Sequence, residues 1–439
     1  MHARVVGGIH PVTPWDSGCV KEKSTWTEFR PAHIYLSMCQ GDEAPCRPIV
    51  HVGERVRVPQ PVGEASDKKS VDIHSGISGT VVAIRDEDNA LSGTTETVVI
   101  IENDGLDEPF PLHKREDDVY PGREALAGII KHAGIVGMGG AAFPSHAKLG
   151  GGGGLEILLV NGAECEPLLC ADAALMLARS EAIVDGCRLI MEALGIPTAI
   201  LGIESDKPSA IAEMCKQTEG VREVRVESLP RIYPMGGEKQ LILKLTGKEV
   251  PAGKLPSDVG AIVFNVATIA AVADAVRRGI PLTHRICSVV GDVAAPRNIR
   301  FPVGSCTVDV VEFCGGWVGE PSRVIVGGPM MGKAAANADA VLSKTANGLL
   351  LMNREHDPDR EERPCIRCNR CSDACPMRLM PQFLDMAGRK ENWRESSRLS
   401  AERCINCGCC SHVCPAFIPL AANITQTAKK LKSIRKDSL

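Results

Sequence analysis

Runs of alternating apolar and polar residues, separated by glycine-containing turns, fill the first part of the chain. Two of the clearest lie at residues 48–59 and 71–84. A period of two residues is typical of strands that bury one face and expose the other. We therefore predict a small β domain over residues 1–115.

From Gly122 onward, short apolar runs alternate with segments that have the period of a helix. The predicted strands are residues 155–160, 198–203, 221–226 and 261–265. The predicted helices are residues 124–132, 171–194, 238–245 and 268–278. Such alternation is typical of a mostly parallel sheet covered by helices. The sequence therefore predicts an α/β domain over residues 120–283.

Strand-like runs with glycine-rich turns return after this domain and predict a second β unit over residues 284–350. Residues 353–364 are charged, contain proline and lack an apolar period, which is typical of a linker. A cysteine-rich unit follows over residues 360–430, with helical patterns at 380–388 and 393–399. The chain is thus predicted to be a multidomain protein of the class α/β plus β.

The composition removes several classes of function. The chain has 439 residues and a net charge of −4, and aromatic residues make up 3% of it. Without a basic surface or stacking platforms, nucleic-acid binding is not expected. No apolar run reaches the roughly 18–20 residues that cross a bilayer, and the N-terminus lacks the pattern of a secretory signal. We expect a cytosolic protein.

Nine of the 19 cysteines lie between Cys365 and Cys414, in two runs of the form C-x2-C-x2-C-x3-C-P. Clustering of this kind argues against a disulfide framework. The spacing is that of bacterial iron–sulfur proteins, in which the fourth cysteine of each run binds the cluster of the other run. Structural zinc is the alternative, but zinc needs four ligands and would leave half of the eight spaced thiols unexplained.

Two [4Fe–4S] clusters follow from this spacing. The ligands predicted for one cluster are Cys365, Cys368, Cys371 and Cys414. The ligands predicted for the other cluster are Cys404, Cys407, Cys410 and Cys375. Cys409 is an additional thiol that this arrangement does not use.

A second candidate site combines a glycine-rich loop with polar residues at strand ends. The loop is Gly134–Lys148, where glycines allow backbone N–H groups to approach a phosphate and the lysine adds positive charge. The strand ends are Asn161–Pro167, Tyr233–Lys239 and Phe264–Thr268. In open α/β sheets, ligands bind beyond the carboxyl ends of the strands. The alternatives are an ordinary glycine turn and a solvated loop with an Asx turn.

These motifs, in this order, resemble the nucleotide-binding RnfC subunit of the Rnf electron-transport complex and, more distantly, the flavoprotein subunit of respiratory complex I. The resemblance extends from Gly7–Pro11 to both cysteine runs. It implies four units: an N-terminal barrel-sandwich β unit, a Rossmann-like α/β domain for flavin and nucleotide, a β-grasp (SLBB) unit and a C-terminal helical two-cluster ferredoxin module. It also implies FMN, with NADH stacked on the flavin ring.

The resemblance further implies which residues contact the cofactors. The cofactor-binding residues would be Gly137, Gly139, Gly140, Lys148, Asn161, Glu164, Glu166, Tyr233, Gly236, Gly237, Glu238, Asn265 and Thr268. Glu164 and Glu166 would face the nicotinamide nucleotide, and the loop glycines and Lys148 would face the FMN phosphate and ribityl chain. Two positions depart from the complex I pattern, which has glycine in place of Ala142 and an acid in place of Ala163.

The function implied is that of the electron-input subunit of a membrane-bound, Rnf-type ferredoxin:NAD oxidoreductase. It would pass electrons between NAD(H), FMN and two [4Fe–4S] clusters, with no side chain as a catalytic acid or base. Its partners would be the other Rnf subunits, including membrane subunits and a ferredoxin-like subunit, which would hold it on the cytoplasmic side of the membrane. The alternatives are a cobalamin reductase-like flavin and iron–sulfur protein, and a wiring subunit that carries clusters only.

Overall fold

The computed structural model describes residues 6–15, 25–39, 44–112, 120–140, 142–150, 154–357 and 360–437. The strands are β1 (Thr27–Glu28), β2 (His33–Ser37), β3 (Arg47–Pro48), β4 (Arg55–Val56), β5 (Pro61–Glu64), β6 (Ile73–His74), β7 (Gly79–Asp88), β8 (Thr95–Asn103), β9 (Ile157–Gly162), β10 (Ala199–Glu204), β11 (Val224–Leu229), β12 (Ala261–Asn265), β13 (His284–Gly291), β14 (Arg297–Pro302), β15 (Pro321–Val326), β16 (Lys333–Ala334) and β17 (Gly348–Asn353). The helices are α1 (Arg123–His132), α2 (Ser145–Leu149), α3 (Ala171–Ala178), α4 (Ser180–Leu194), α5 (Pro208–Gln217), α6 (Glu238–Thr246), α7 (Val266–Ala273), α8 (Thr307–Phe313), α9 (Arg370–Ala374), α10 (Pro381–Arg389), α11 (Trp393–Arg398), α12 (Cys409–His412) and α13 (Leu420–Asp437).

The N-terminal unit contains two antiparallel sheets, with strand orders β2-β8-β7-β4 and β3-β5-β6. In β2, Ile34 and Leu36 are fully buried while the residues between them are partly exposed, as a period of two requires. Both side chains belong to one apolar core shared by the two sheets. The β class predicted for this unit is confirmed.

The next unit contains a parallel sheet of order β11-β10-β9-β12. Asn265 at the end of β12 lies beside Asn161 near the end of β9 in the strand register. Parallel strands place their carboxyl ends at one edge, so the two amides meet where an α/β sheet binds ligands. The α/β class predicted for this unit is confirmed.

Three elements of this unit differ from their predicted bounds. The helix predicted at 171–194 is two helices, because Arg179 leaves the helical backbone (φ −135°, ψ 31°) while its guanidinium pairs with Asp274 at 2.8 Å. The strand predicted at 221–226 is β11, three residues later, since Val221 N–H closes a turn onto Thr218. The helix predicted from residue 268 begins at Val266, where the Asn265 side chain accepts the Ala267 N–H, and ends in a π-helical turn.

A six-stranded sheet of order β1-β14-β13-β17-β15-β16 forms the third unit. Its central strands bury Phe301, Leu349 and Leu351 completely. The edge strand β1 comes from far earlier in the chain, and Thr27 pairs in parallel with Ile299. No periodicity within residues 284–350 could reveal that pairing, because its partner lies outside them. The predicted domain boundaries themselves stay predictions.

The C-terminal unit is helical throughout its described part, residues 360–437. Leu384 of α10 and Ile424 and Leu431 of α13 form its apolar core. The helical patterns predicted at 380–388 and 393–399 correspond to α10 and α11. Within the described residues, no helix has the length and apolarity that a bilayer crossing requires.

Candidate functional site

The glycine-rich loop closes against the end of the parallel sheet. Gly137 N–H donates to the Phe143 carbonyl at 2.8 Å, which joins the two ends of the turn. Met138 N–H donates to the Thr268 hydroxyl at 3.0 Å, and this anchors the loop to α7. Gly139 and Gly140 are exposed, and Gly140 has a left-handed φ of +104° with open space where a side chain would stand. The loop therefore presents accessible backbone at the strand ends.

The turn at residues 233–237 lies against the same sheet edge. Asn161 Nδ2 donates to the Gly236 carbonyl at 2.8 Å. Gly236 N–H donates to Cys165 Sγ at 3.3 Å, and a Cβ at Gly236 would stand 3.1 Å from that sulfur. Close approach is therefore possible because residue 236 is glycine.

Lys148 and Glu238 meet beside this turn. Lys148 Nζ donates to the Val263 carbonyl at 2.9 Å and lies 3.7 Å from Glu238 Oε1. Burial lowers the pKa of Lys148, and the Glu238 carboxylate opposes that shift. The structure thus brings all predicted cofactor-binding residues except Glu164 and Glu166 to the loop, the turn or the strand ends, where their cofactor contacts stay predictions.

The two glutamates bind backbone amides of this chain. Glu164 accepts the N–H groups of Asp172 at 2.8 Å and Ala173 at 3.0 Å, at the start of α3. Glu166 accepts the N–H groups of Met330 at 2.9 Å and Met331 at 2.7 Å. Desolvation of the carboxylates raises the pKa of Glu164 to about 8 and that of Glu166 to about 7. Their predicted role at the nicotinamide nucleotide stays a prediction.

Three buried charged residues that sequence analysis missed surround Glu164. Asp172 accepts from Asn265 Nδ2 at 2.7 Å, and Lys207 Nζ donates to the Glu164 carbonyl at 3.3 Å. Arg285 stands on β13, and each of the three side chains is less than a tenth exposed. A charged residue inside the apolar run of β13 was the signal that could have identified Arg285.

The raised pKa of Glu164 predicts that stability decreases with rising pH. A carboxyl whose folded pKa lies above its unfolded value favours folding at low pH and loses that contribution as pH rises through the folded pKa, here about 8. Ionisation of one such group changes the free energy of unfolding by up to about 1.4 kcal/mol per pH unit. We expect the thermal unfolding midpoint to be lower at pH 8 than at pH 6.

Glu164→Gln provides the control, because glutamine keeps one acceptor and cannot ionise. This variant should show a smaller decrease between the two pH values than the unmodified chain. An equal decrease in both proteins would contradict the assignment of the pH dependence to Glu164.

The cysteines of the C-terminal unit line two separate cavities. The first, here the exposed cysteine cavity, is lined by Cys365, Cys368, Cys371 and Cys414. The second, here the interior cysteine cavity, is lined by Cys375, Cys404, Cys407 and Cys410. These are the two sets that the spacing predicts, including the exchange of the fourth cysteine between runs. Iron ligation by these sets stays a prediction.

The backbone of the two cysteine runs has matching conformations. Arg367 and Asn406, at equivalent positions, have φ of 55° and 53°, and Asn369 and Gly408 have φ of 63° and 77°. Left-handed residues at matched positions give both loops the same curvature around their cavities. Among the described residues, no group of three or more His, Cys, Asp or Glu side chains is placed to hold a single metal ion.

The two cavities differ in exposure and in neighbours. Cys365 and Cys368 are exposed, whereas Cys375, Cys407 and Cys410 are buried. Cys409 also lines the interior cysteine cavity and is fully buried, with Sγ 4.0 Å from the Tyr233 carbonyl. The exposed cysteine cavity therefore faces solvent, and the interior cysteine cavity faces the α/β domain.

Tyr233 joins the interior cysteine cavity to the turn at 233–237. Its hydroxyl donates to the Cys407 carbonyl at 2.7 Å, and its side chain is 2% exposed. Ile9 exchanges backbone hydrogen bonds with Tyr233 at 2.8 and 2.9 Å, and Gly8 N–H donates to the Ala374 carbonyl at 3.0 Å. The N-terminal segment thus fastens the helical unit to the α/β domain beside the candidate flavin pocket.

Four family models match successive parts of the chain. They are an RnfC barrel sandwich hybrid domain at residues 3–106, a Nuo51 FMN-binding domain at 130–274, an SLBB domain at 286–334 and a 4Fe-4S dicluster domain at 364–418. Their order is the order of units predicted from the sequence, and the predicted fold class and the predicted FMN and [4Fe–4S] cofactors are thereby confirmed.

Whole-chain relatives agree with the domain matches. The RnfC-type subunit of the proton-translocating ferredoxin:NAD(+) oxidoreductase complex of Clostridium ljungdahlii is 40% identical over 405 residues, which cover 89% of this chain and 85% of that protein. The corresponding subunit of the Na(+)-translocating ferredoxin:NAD(+) oxidoreductase complex of Acetobacterium woodii is 36% identical over 396 residues, 89% of each chain. A chain of the H2-reduced NAD+-reducing [NiFe]-hydrogenase aligns with a TM-score of 0.49 at 18% identity, over 71% of this chain and 61% of that one. With two relatives of this identity covering nearly their full lengths, the chain belongs to the RnfC family of subunits of ion-translocating ferredoxin:NAD(+) oxidoreductase complexes.

Proposed function

We propose that this chain is the subunit at which electrons pass between NAD(H) and the iron–sulfur centres of an Rnf-type complex. The observation that supports this most directly is the hydrogen bond from the Tyr233 hydroxyl to the Cys407 carbonyl. It holds the candidate flavin pocket against the interior cysteine cavity. Electron transfer between two centres requires such proximity.

The residues present suit the cofactors that the family models describe. Each cavity offers four thiols, which is the ligand set of a [4Fe–4S] cluster. The exposed backbone at Gly139 and Gly140 and the cationic side chain of Lys148 suit the phosphate of FMN. When bound, FMN exchanges two electrons with nicotinamide and single electrons with the clusters.

Each group of side chains has a distinct task in this proposal. The glycine loop and Lys148 bind the phosphate, while Asn161 holds the turn at Gly236 close to the strand ends. Glu166 fixes the backbone at Met330 and Met331, and so borders the side on which nucleotide would enter. No side chain needs to act as an acid or base. The chain provides orientation and a protected path for the electrons.

The difference in exposure sets the order of the two centres. The interior cysteine cavity lies next to Tyr233, and the exposed cysteine cavity lies farther from the α/β domain with two thiols open to solvent. Electrons would therefore pass between the flavin pocket, the interior centre, the exposed centre and a partner subunit. Other subunits of the complex would hold the chain at the cytoplasmic side of the membrane.

Anaerobic reconstitution with iron, sulfide and FMN tests this function. We expect one FMN and about eight iron atoms per chain, and we expect NADH to bleach the flavin absorbance. A preparation that takes up iron and sulfide but no FMN, or whose flavin does not respond to NADH, would contradict the proposal. That result would favour a wiring subunit that carries clusters only.

A further inference from the structure

Arg285 is a buried cation whose charge the surrounding protein compensates incompletely. It stands on β13 and is 5% exposed. Its guanidinium reaches Met138 of the glycine loop, where Nη1 donates to the sulfur at 2.9 Å and Nη2 to the carbonyl at 3.5 Å. Its Nε has no hydrogen-bond partner among the described residues. One donor is thus unused, and another contacts only a thioether, which is a weak acceptor.

Burial of such a group is costly unless an anion accompanies it. A guanidinium stays protonated at every physiological pH, so it cannot avoid the cost by becoming neutral. Asp172 attracts it, but forms its close hydrogen bond with Asn265 at 2.7 Å and no ion pair with Arg285 in the part of the chain that the structure describes. The positive charge therefore stays partly unmatched directly behind the loop.

The neighbouring charges do not remove this excess. Lys207 is a second buried cation, and Glu164 and Asp172 are the carboxyl groups of the same network. Burial raises the pKa of Glu164 to about 8, which favours its neutral form near pH 7. A site with two buried cations and a carboxyl group that resists ionisation attracts an anion at its open side, which is the exposed backbone of Gly139 and Gly140.

We propose that Arg285 is a positioning residue for the phosphate of the bound flavin nucleotide, acting through Met138 from behind the glycine loop. This inference rests on the proposed function, because it assumes that the loop binds FMN. The β-grasp sheet then contributes a cation to a pocket whose other residues come from the α/β domain. The phosphate dianion supplies the counter-charge that the protein lacks, and Met138 keeps the guanidinium out of direct contact with it.

The test compares FMN with riboflavin, which has the same ring system and no phosphate. In the reconstituted full-length chain, Arg285→Met should weaken FMN binding by about tenfold or more, because a charge acts strongly across a desolvated loop. Riboflavin binding should change little. The ratio of the two dissociation constants is the readout, since a merely structural defect would weaken both ligands together.

Two further variants keep the test decisive. Arg285→Lys retains the charge and should keep most of the preference for FMN, so it serves if Arg285→Met fails to fold. Arg300→Met is the matched control, because Arg300 lies on the neighbouring strand β14 and pairs with Glu28 at 2.9 Å, and its ratio should not change. If a folded Arg285→Met keeps the preference, or Arg285→Lys loses both flavins equally, this inference is wrong. An unmodified chain that binds neither flavin would overturn the proposed function as well.

Discussion

Cys375→Ser is expected to remove the interior centre and leave the exposed one, although Cys375 belongs to the first cysteine run. The side chain lines the interior cysteine cavity with three thiols of the second run. A serine hydroxyl is a much poorer ligand for iron than a thiolate. Iron and acid-labile sulfide should each fall from about eight to about four per chain. The flavin should still be bleached by NADH, but the remaining cluster should no longer be reduced rapidly.

Cys409→Ser is the matched control for that experiment. Cys409 lines the same cavity and is fully buried, yet it is the thiol that the predicted ligand sets do not use. Iron and sulfide content should therefore stay near that of the unmodified chain. Loss of both clusters from Cys375→Ser, or loss of one from Cys409→Ser, would show that the ligands are distributed differently.

Glu166→Gln is expected to weaken NADH binding by about 10- to 100-fold while FMN binding changes by less than about threefold. Glu166 accepts the amides of Met330 and Met331, and hydrogen bonds to a charged group contribute about 1.5–3 kcal/mol. Glutamine keeps one acceptor and turns an NH2 group toward an amide. The loop at residues 327–332 would then lose its attachment to the strand end that we expect to face the nucleotide. Equilibrium titrations of both ligands measure the two effects.

The pH dependence of NADH binding gives this prediction an independent check. Burial raises the pKa of Glu166 to about 7, so protonation below that pH weakens the acceptor. NADH affinity should decrease as pH falls from 8 to 6 in the unmodified chain and should be flatter in Glu166→Gln. Glu204→Gln is the control, because Glu204 has a similarly raised pKa of about 7 but faces Lys207 at 3.8 Å. Unchanged NADH affinity in Glu166→Gln would refute the assignment.

The local parts of this fold and site are readable from the sequence. Periodicity identifies the β and α/β units, because alternation and helical repeats follow from which face a segment buries. The spacing of the cysteines predicts their grouping in two cavities, because short loops can place only certain thiols around one centre. The side-by-side arrangement of Asn161 and Asn265 follows from the shared edge of parallel strands.

The contacts between distant segments are not readable in this way. Glu166 and Met330 are separated by 164 positions, and Tyr233 and Cys407 by 174. The acceptors and donors include backbone groups, which carry no sequence signature of their own. Arg179 interrupts the predicted long helix without a glycine or proline to mark the break. Arg285 gains its meaning only from Met138, which the fold brings to it from another domain.

The central claim is that electrons from NADH reach the clusters through the flavin pocket beside Tyr233. Rapid anaerobic mixing with NADH, followed by flavin absorbance and by electron paramagnetic resonance of the clusters, tests it most directly in FMN-loaded and FMN-depleted preparations of the same protein. The account predicts that cluster signals develop after flavin bleaching in the loaded protein and stay absent without FMN. Equal cluster reduction in both preparations, or bleached flavin beside clusters that stay oxidised, would contradict it.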